Sequence, residues 1–297
     1  MNIATIYENH YLPEKAKKRR ASTVAGYDSS VRLHVLPRWG ACEIEEIDPD
    51  DLQDWVDAID LPGAAQKAFK CLRQIIRWWM RKKRLRITDP TVYIELPELE
   101  PYEHKALEAN ETVEMLRGMW GHWTEAATIC AVTLGLRRSE ACALEWTDIN
   151  LKTGEVRVSK TRQYILGEIV TDKTKTPKST RSCWLPRFAV RRLRQIKGTG
   201  LITGDVTPDK VARAIKSWCK RHNLPHVSMT NLRHTWGTLA IEAGVGIGTV
   251  AMMLGHTDIS TAYDHYIVRR KTICVGAQEA VEKHLFAHAP KLMPMAA

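Results

Sequence analysis

The chain has 297 residues and a formal charge of +10, from 44 Lys and Arg against 34 Asp and Glu, and 44% of it is hydrophobic. Such a length allows a sizeable core and, as a prior, two domains, while the basic balance favours a polyanionic partner because Lys and Arg at phosphates release counterions. The longest largely apolar stretch, residues 126–136, is too short to span a bilayer, and the seven scattered cysteines form no Cys-x-x-Cys pair, which fits a soluble chain in a reducing cytoplasm.

Residues 1–100 read as helical. A basic run of Lys15, Lys17, Lys18, Arg19 and Arg20 is ordinarily a solvated face. Pro37-Arg38-Trp39-Gly40 reads as a turn, and Asp48-Pro49-Asp50-Asp51 as a helix start with proline and acids in its first turn. From Lys67 to Arg84 the periodicity is sharper. Phe69, Leu72, Ile75, Ile76, Trp79 and Met80 fall on one side of a helix, and Lys70, Arg73, Arg77, Arg81 and Arg84 make a cationic stripe on the other. No Asp or Glu occurs between Asp60 and Asp89, so the stripe repels itself unless phosphates or distant carboxylates neutralise it. Contact with a DNA backbone is the favoured reading, an ordinary wet face the alternative.

Thr88-Asp89-Pro90 reads as the end of that helix, and the acidic stretch 96–104, with Pro97 and Pro101, as an interdomain linker. A helical pattern resumes from Ala106 and again over Ala126–Leu134, where Gly135 stops it. Gly154–Ser159 reads as a turn into a strand and Ser182–Leu185 as its partner, with a polar excursion over 171–180 that carries Lys173, Lys175 and Lys178. Helices follow over Val190–Ile196 and Lys210–Arg221. Thr238 to His256, interrupted by Gly244-Val245-Gly246-Ile247, has a helix-turn-helix look. The fold class expected is mainly α with a small antiparallel β-sheet.

Near the end, Leu254-Gly255-His256 precedes Tyr263 and Tyr266. A phenol titrates at about 10 and is a poor nucleophile at neutral pH unless cations favour the phenolate and its target. Those cations lie upstream, in Gly135-Leu136-Arg137-Arg138-Ser139-Glu140, Thr174-Lys175-Thr176 and Asn231-Leu232-Arg233-His234-Thr235. In this order the motifs resemble the tyrosine recombinase family, the phage integrases and Xer-type recombinases, over roughly the last two thirds of the chain. The resemblance implies a helical core-type DNA-binding domain at 1–100, a linker at 101–106, a mixed α/β catalytic domain at 107–278 and a C-terminal helix or tail at 279–297. It also implies double-stranded DNA as partner and strand exchange through a 3′-phosphotyrosyl link. A homo-tetramer on paired sites, monomeric off DNA, with accessory DNA-bending or directionality factors, completes the expectation.

On the family register Arg137 and Arg233 grip the scissile phosphate, a task suited to a planar fork that stays charged; Arg138 is the neighbour open to confusion with the first. Glu140, three residues on, orients Arg137. Lys175 takes the general-acid position, with Lys173 and Lys178 as rivals. His256 donates a hydrogen bond to the phosphate, and Tyr266, ten residues later, is the nucleophile in preference to Tyr263. One position departs from the pattern: relatives read His-x-Leu-Arg-His, and here Thr230 stands where the first histidine belongs. Threonine cannot exchange a proton near neutral pH, which leaves His226 or His234 as possible substitutes. The sequence carries neither a Gly-rich phosphate loop nor an acidic metal cluster. A covalent intermediate conserves the phosphodiester energy, so no cofactor or metal is expected. Two other readings share part of this evidence: a DNA-binding regulator whose site has decayed, and a type IB topoisomerase.

Overall fold

The structure is a computed structural model and describes residues 1–100, 105–173 and 180–255. The chain divides into two compact units, the first built mainly from residues up to 100 and the second mainly from those after 104.

The first unit is built from helices. α1 (Ile3–Ile6) and α2 (Leu12–Lys18) are joined by a π-helical turn over Tyr7–Tyr11, and α3 (Ala21–Ser30) and α4 (Leu36–Trp39) by another over Val31–Val35. Each widened turn sits just ahead of a proline, Pro13 or Pro37. A proline ring inside an α-helix collides with the carbonyl four residues back, and a π turn moves that carbonyl aside. The Pro37 segment, expected to be a turn, is therefore helix. α5 (Pro49–Asp57) starts as its sequence reads, with the Asp48 side chain accepting from the Asp50 amide at 2.8 Å.

α6 (Pro62–Lys83) is the long amphipathic helix. Phe69, Leu72, Ile75, Ile76 and Trp79 are buried in the core of this unit with Ile3, Ile6, Val35, Trp39 and Leu52. It ends earlier than Thr88, because Arg84 takes a left-handed conformation (φ 52°) and the Leu85 amide turns back to the Met80 carbonyl.

The second unit is centred on α8 (Glu125–Leu134), which follows α7 (Ala109–Gly118) and is apolar and buried nearly all round. Gly135 caps it in the left-handed conformation (φ 60°), and a Cβ there would sit 2.6 Å from Leu254 and 3.0 Å from Trp236. The one-turn α9 (Arg138–Ala141) comes next. β1 (Glu155–Val158) pairs antiparallel with β4 (Arg181–Trp184), in the register Val156 to Cys183 and Val158 to Arg181. Between them β2 (Lys160–Ile165) and β3 (Glu168–Lys173) form a separate two-stranded ladder. Its turn, Leu166-Gly167, has positive φ at both residues (51° and 90°), the conformation that matches strand twist in a two-residue hairpin. Residues 171–173, read as the start of a polar loop, are thus strand. α10 (Arg187–Gln195), α11 (Pro208–Arg221), α12 (Met229–Glu242) and α13 (Ile247–Leu254) complete the described part. Among the described residues no helix is long and apolar enough to cross a membrane.

Candidate active site

Two glycine-capped helix ends organise the site. α8 stops at Gly135 and α13 at Gly255, both left-handed, so the last carbonyls of each helix point away without intrahelical donors. Arg233, on α12 and 6% exposed, supplies donors to both ends: Nη1 to the Gly135 carbonyl at 2.8 Å and Nη2 to the Leu254 carbonyl at 2.7 Å. A cation is favoured at a helix C-terminus by the dipole, and here one guanidinium serves two.

Arg137 lies two residues past Gly135 at the start of α9. Its Nη1 donates to Glu140 Oε1 at 2.8 Å and its backbone amide to Oε2 at 2.9 Å, while Nη2 stands 3.5 Å from the Gly255 carbonyl. The Arg137 side chain is 40% exposed and that of Glu140 1%. Arg181, first residue of β4, reaches the same carboxylate: Nη1 to Oε1 at 3.2 Å and Nη2 to Oε2 at 3.1 Å. Burial alone would raise the Glu140 carboxyl, but Arg181 and then Arg137 outweigh it and hold it below its ordinary range. Burial likewise works against the Arg181 charge, and Glu140 overcomes it, leaving the guanidinium more firmly protonated than usual.

Arg137 and Arg233 line one cleft of about 460 Å³, with Arg138, Arg162, Thr230 and His234 among its other walls. Among the described residues its one acidic wall residue, Asp209, is tied to Arg138 at 2.6 Å, and Arg162 pairs with Asp205 and donates to Thr171 on the hairpin. Thr230 sits one turn ahead of Arg233 on α12 and is exposed in the cleft. Of the two proposed substitutes for the missing histidine, His234 lines the cleft and His226 does not; burial and then Lys216 push the His226 imidazole down. An anion entering this cleft meets several guanidinium groups, two of them fixed from different elements.

The structure therefore brings together Arg137, Glu140, Thr230 and Arg233. Lys175, His256 and Tyr266 lie outside the described residues, as do the rivals Lys178 and Tyr263, the linker core 101–104 and the tail 279–297. Lys173 ends β3 and is exposed. Sequence reasoning missed Arg181 and Arg162. Nothing in the spacing marks either one, although a glutamate destined for full burial implies more positive charge than one half-exposed arginine provides.

In the first unit Lys70, Arg77, Arg81 and Arg84 are exposed and Arg73 is half-buried, its guanidinium 5.2 Å from the Phe69 ring centre. One member of the stripe is neutralised by a distant carboxylate, an outcome the sequence left open. The chain folds back after α6 and sets Asp89 against Arg77 at 2.6 Å, with Asp89 held in turn by Thr91. Among the described residues the other four have no carboxylate partner.

Comparison with known proteins gives a consistent result. The model of the phage integrase family matches residues 105–272, more than half of the chain, and that of the phage integrase N-terminal SAM-like domain matches residues 6–59. The chain is similar to a tyrosine recombinase XerD of Staphylococcus saprophyticus, 29% identical across 82% of this chain and 88% of the relative. A XerC-like tyrosine recombinase of Caldanaerobacter subterraneus is 26% identical over 56% of this chain, and the match spans about half of that relative (51%). In fold, it is similar to the integrase of transposon Tn1549, solved in complex with a circular intermediate DNA, with a TM-score of 0.78, 15% identity, and coverage of 95% of this chain and 99% of that one.

Proposed function

The chain belongs to the phage integrase family, and from that premise we propose that it is a site-specific DNA recombinase that cuts and rejoins strands through a phosphotyrosine. One observation carries the chemistry: the guanidinium groups of Arg137 and Arg233 come from separate elements into one cleft, anchored on carbonyls at the ends of α8 and α13.

Phosphoryl transfer needs charge neutralisation at the nonbridging oxygens, an in-line nucleophile and a proton for the leaving oxygen. Arg137 and Arg233 serve the first need. Their anchors fix them before substrate arrives, so little reorganisation is spent at the moment of reaction. Tyr266, losing its phenolic proton to solvent as the nearby cations favour the phenolate, attacks the phosphorus, forming a 3′-phosphotyrosyl bond as the P–O bond to the 5′ oxygen breaks, and Lys175 gives that oxygen its proton. His256 follows Gly255 directly in sequence and donates a hydrogen bond to the phosphate. Thr230 can donate one as well but cannot carry a proton. The 5′-hydroxyl of a second strand then reverses the step. Neither a metal nor ATP is needed, since the phosphotyrosyl bond retains the energy of the broken one.

Residues 1–100 act as the core-type DNA-binding domain through the α6 stripe, residues 107–278 as the catalytic domain, joined by 101–106, and 279–297 as a C-terminal tail. As the family resemblance implies, the chain acts as a homo-tetramer on paired sites, each subunit contributing its Tyr266. The protein works in the cytoplasm of a bacterial or phage-host cell, where its DNA is.

A duplex nicked just beyond the cleavage point tests the reading, because the short cleaved fragment diffuses away and leaves protein bound. Across a library of such fragments, wild type and Tyr263→Phe are expected to form a covalent species, and Tyr266→Phe none. No covalent species under any condition would turn the protein into a DNA-binding regulator, and relaxation of supercoiled DNA lacking a defined site would make it a topoisomerase.

A further inference from the structure

An arginine paired with a buried carboxylate is a poor receptor for a second anion, because the pair is already neutral. That objection applies to Arg137, whose Nη1 and backbone amide both donate to Glu140. Arg181 removes it. Its side chain is 8% exposed, and its two terminal nitrogens take both oxygens of Glu140 in a fork-to-fork arrangement, at 3.2 and 3.1 Å. Such bidentate pairs are the strong form of the arginine–carboxylate interaction. The three groups together carry two positive charges and one negative.

We propose that Arg181 is a positioning residue of the cleavage site: by holding Glu140 on both oxygens it balances that carboxylate, and Arg137 keeps its positive charge for the phosphate. The asymmetry in exposure supports this division of labour. Arg181 is buried and spends its terminal nitrogens on Glu140, whereas the Arg137 side chain is 40% exposed and opens into the cleft. The register adds a second consequence. Arg181 pairs with Val158 at the end of the β1–β4 ladder, and one residue, Thr180, separates it from the 174–179 segment that contains Lys175. Through Glu140 the strand that follows Lys175 in the chain is tied to the turn that carries Arg137. The inference rests on reading the cleft as the phosphate site.

The test is single-turnover cleavage of the nicked duplex at saturating protein, with DNA affinity measured separately, for wild type, Arg181→Lys, Arg181→Met, and Arg181→Met combined with Glu140→Gln. Arg181→Met is expected to lower the cleavage rate roughly 10-fold or more while changing DNA affinity by less than about threefold. Arg181→Lys, which keeps the charge without the fork, falls between it and wild type. Adding Glu140→Gln to Arg181→Met is expected to recover most of the lost rate, because no carboxylate is left to claim Arg137. A role confined to packing would not be repaired by that second change. If Arg181→Met does not fold, the double variant decides the matter, since it leaves no buried carboxylate short of a cation. A rate within about fivefold of wild type supports the inference, and a larger loss overturns it. Normal cleavage by Arg181→Met, or a double variant no faster than the single, also overturns it. A wild-type chain that traps no DNA overturns the parent reading instead.

Discussion

Thr230 stands where the family resemblance leads one to expect a histidine, and its surroundings say what a histidine there would do. It is exposed in the cleft one helical turn ahead of Arg233, so a longer side chain can grow into open space without disturbing the core. Thr230→His is therefore expected to leave folding and DNA affinity unchanged and to raise the single-turnover cleavage rate by up to about 10², the lower range for a placed acid–base group. A slower variant would mean that the pocket has been rebuilt around threonine. Arg137 and Arg233 were legible in the sequence because each sits in a motif of fixed spacing. Arg181 was not, since its significance lies in the burial of a glutamate 41 positions away, and no local pattern records that.

At the scale of elements, the meeting of α8, α12 and α13 beneath Gly135 explains why a glycine is required there. Gly135→Ala would force an L side chain into the left-handed region, at roughly 1–2 kcal/mol, and drive its Cβ to 2.6 Å from Leu254. The expected outcome is a drop of several degrees in the melting temperature together with slower cleavage, because the carbonyls that hold Arg233 move. An alanine variant with wild-type melting and cleavage would contradict this. α6 carries a second prediction. Arg77 is already paired with Asp89, whereas Arg73 and Arg81 have no carboxylate among the described residues. Replacing Arg73 or Arg81 by Gln should flatten the dependence of log affinity on log salt by about 0.9 each, the value per phosphate contact, and Arg77→Gln by less. Equal slopes in all three variants and wild type would leave the stripe facing solvent only. Elements with one wet and one dry face, such as α6, declared themselves by periodicity. The β2–β3 hairpin did not, because β3 stays exposed on both faces and the one residue β2 buries is Arg162, so no apolar alternation marks it. The helix through Pro37 was hidden by a π turn that lets proline stay in line.

For the molecule as a whole, two units of different construction follow one another in a chain of net charge +10. The first is a helical unit with a cationic helix face. The second gathers guanidinium groups around a cleft and ends its described portion at Gly255, one residue before His256 and eleven before Tyr266. Charge balance pointed to a polyanion and motif order to strand exchange. How Glu140 shares its two oxygens between Arg137 and Arg181 came only from the fold.

With Tyr266 as nucleophile, its phenol becomes bonded to a DNA phosphorus held by Arg137 and Arg233. Mass spectrometry of the proteolysed covalent complex reads this directly. A nucleotide remnant is expected on the peptide containing Tyr266, attached through a 3′-phosphate, with its yield reduced about 10²–10³-fold by Arg233→Gln at unchanged DNA occupancy. A remnant on Tyr263, a 5′ linkage, or a yield indifferent to Arg233 would contradict it.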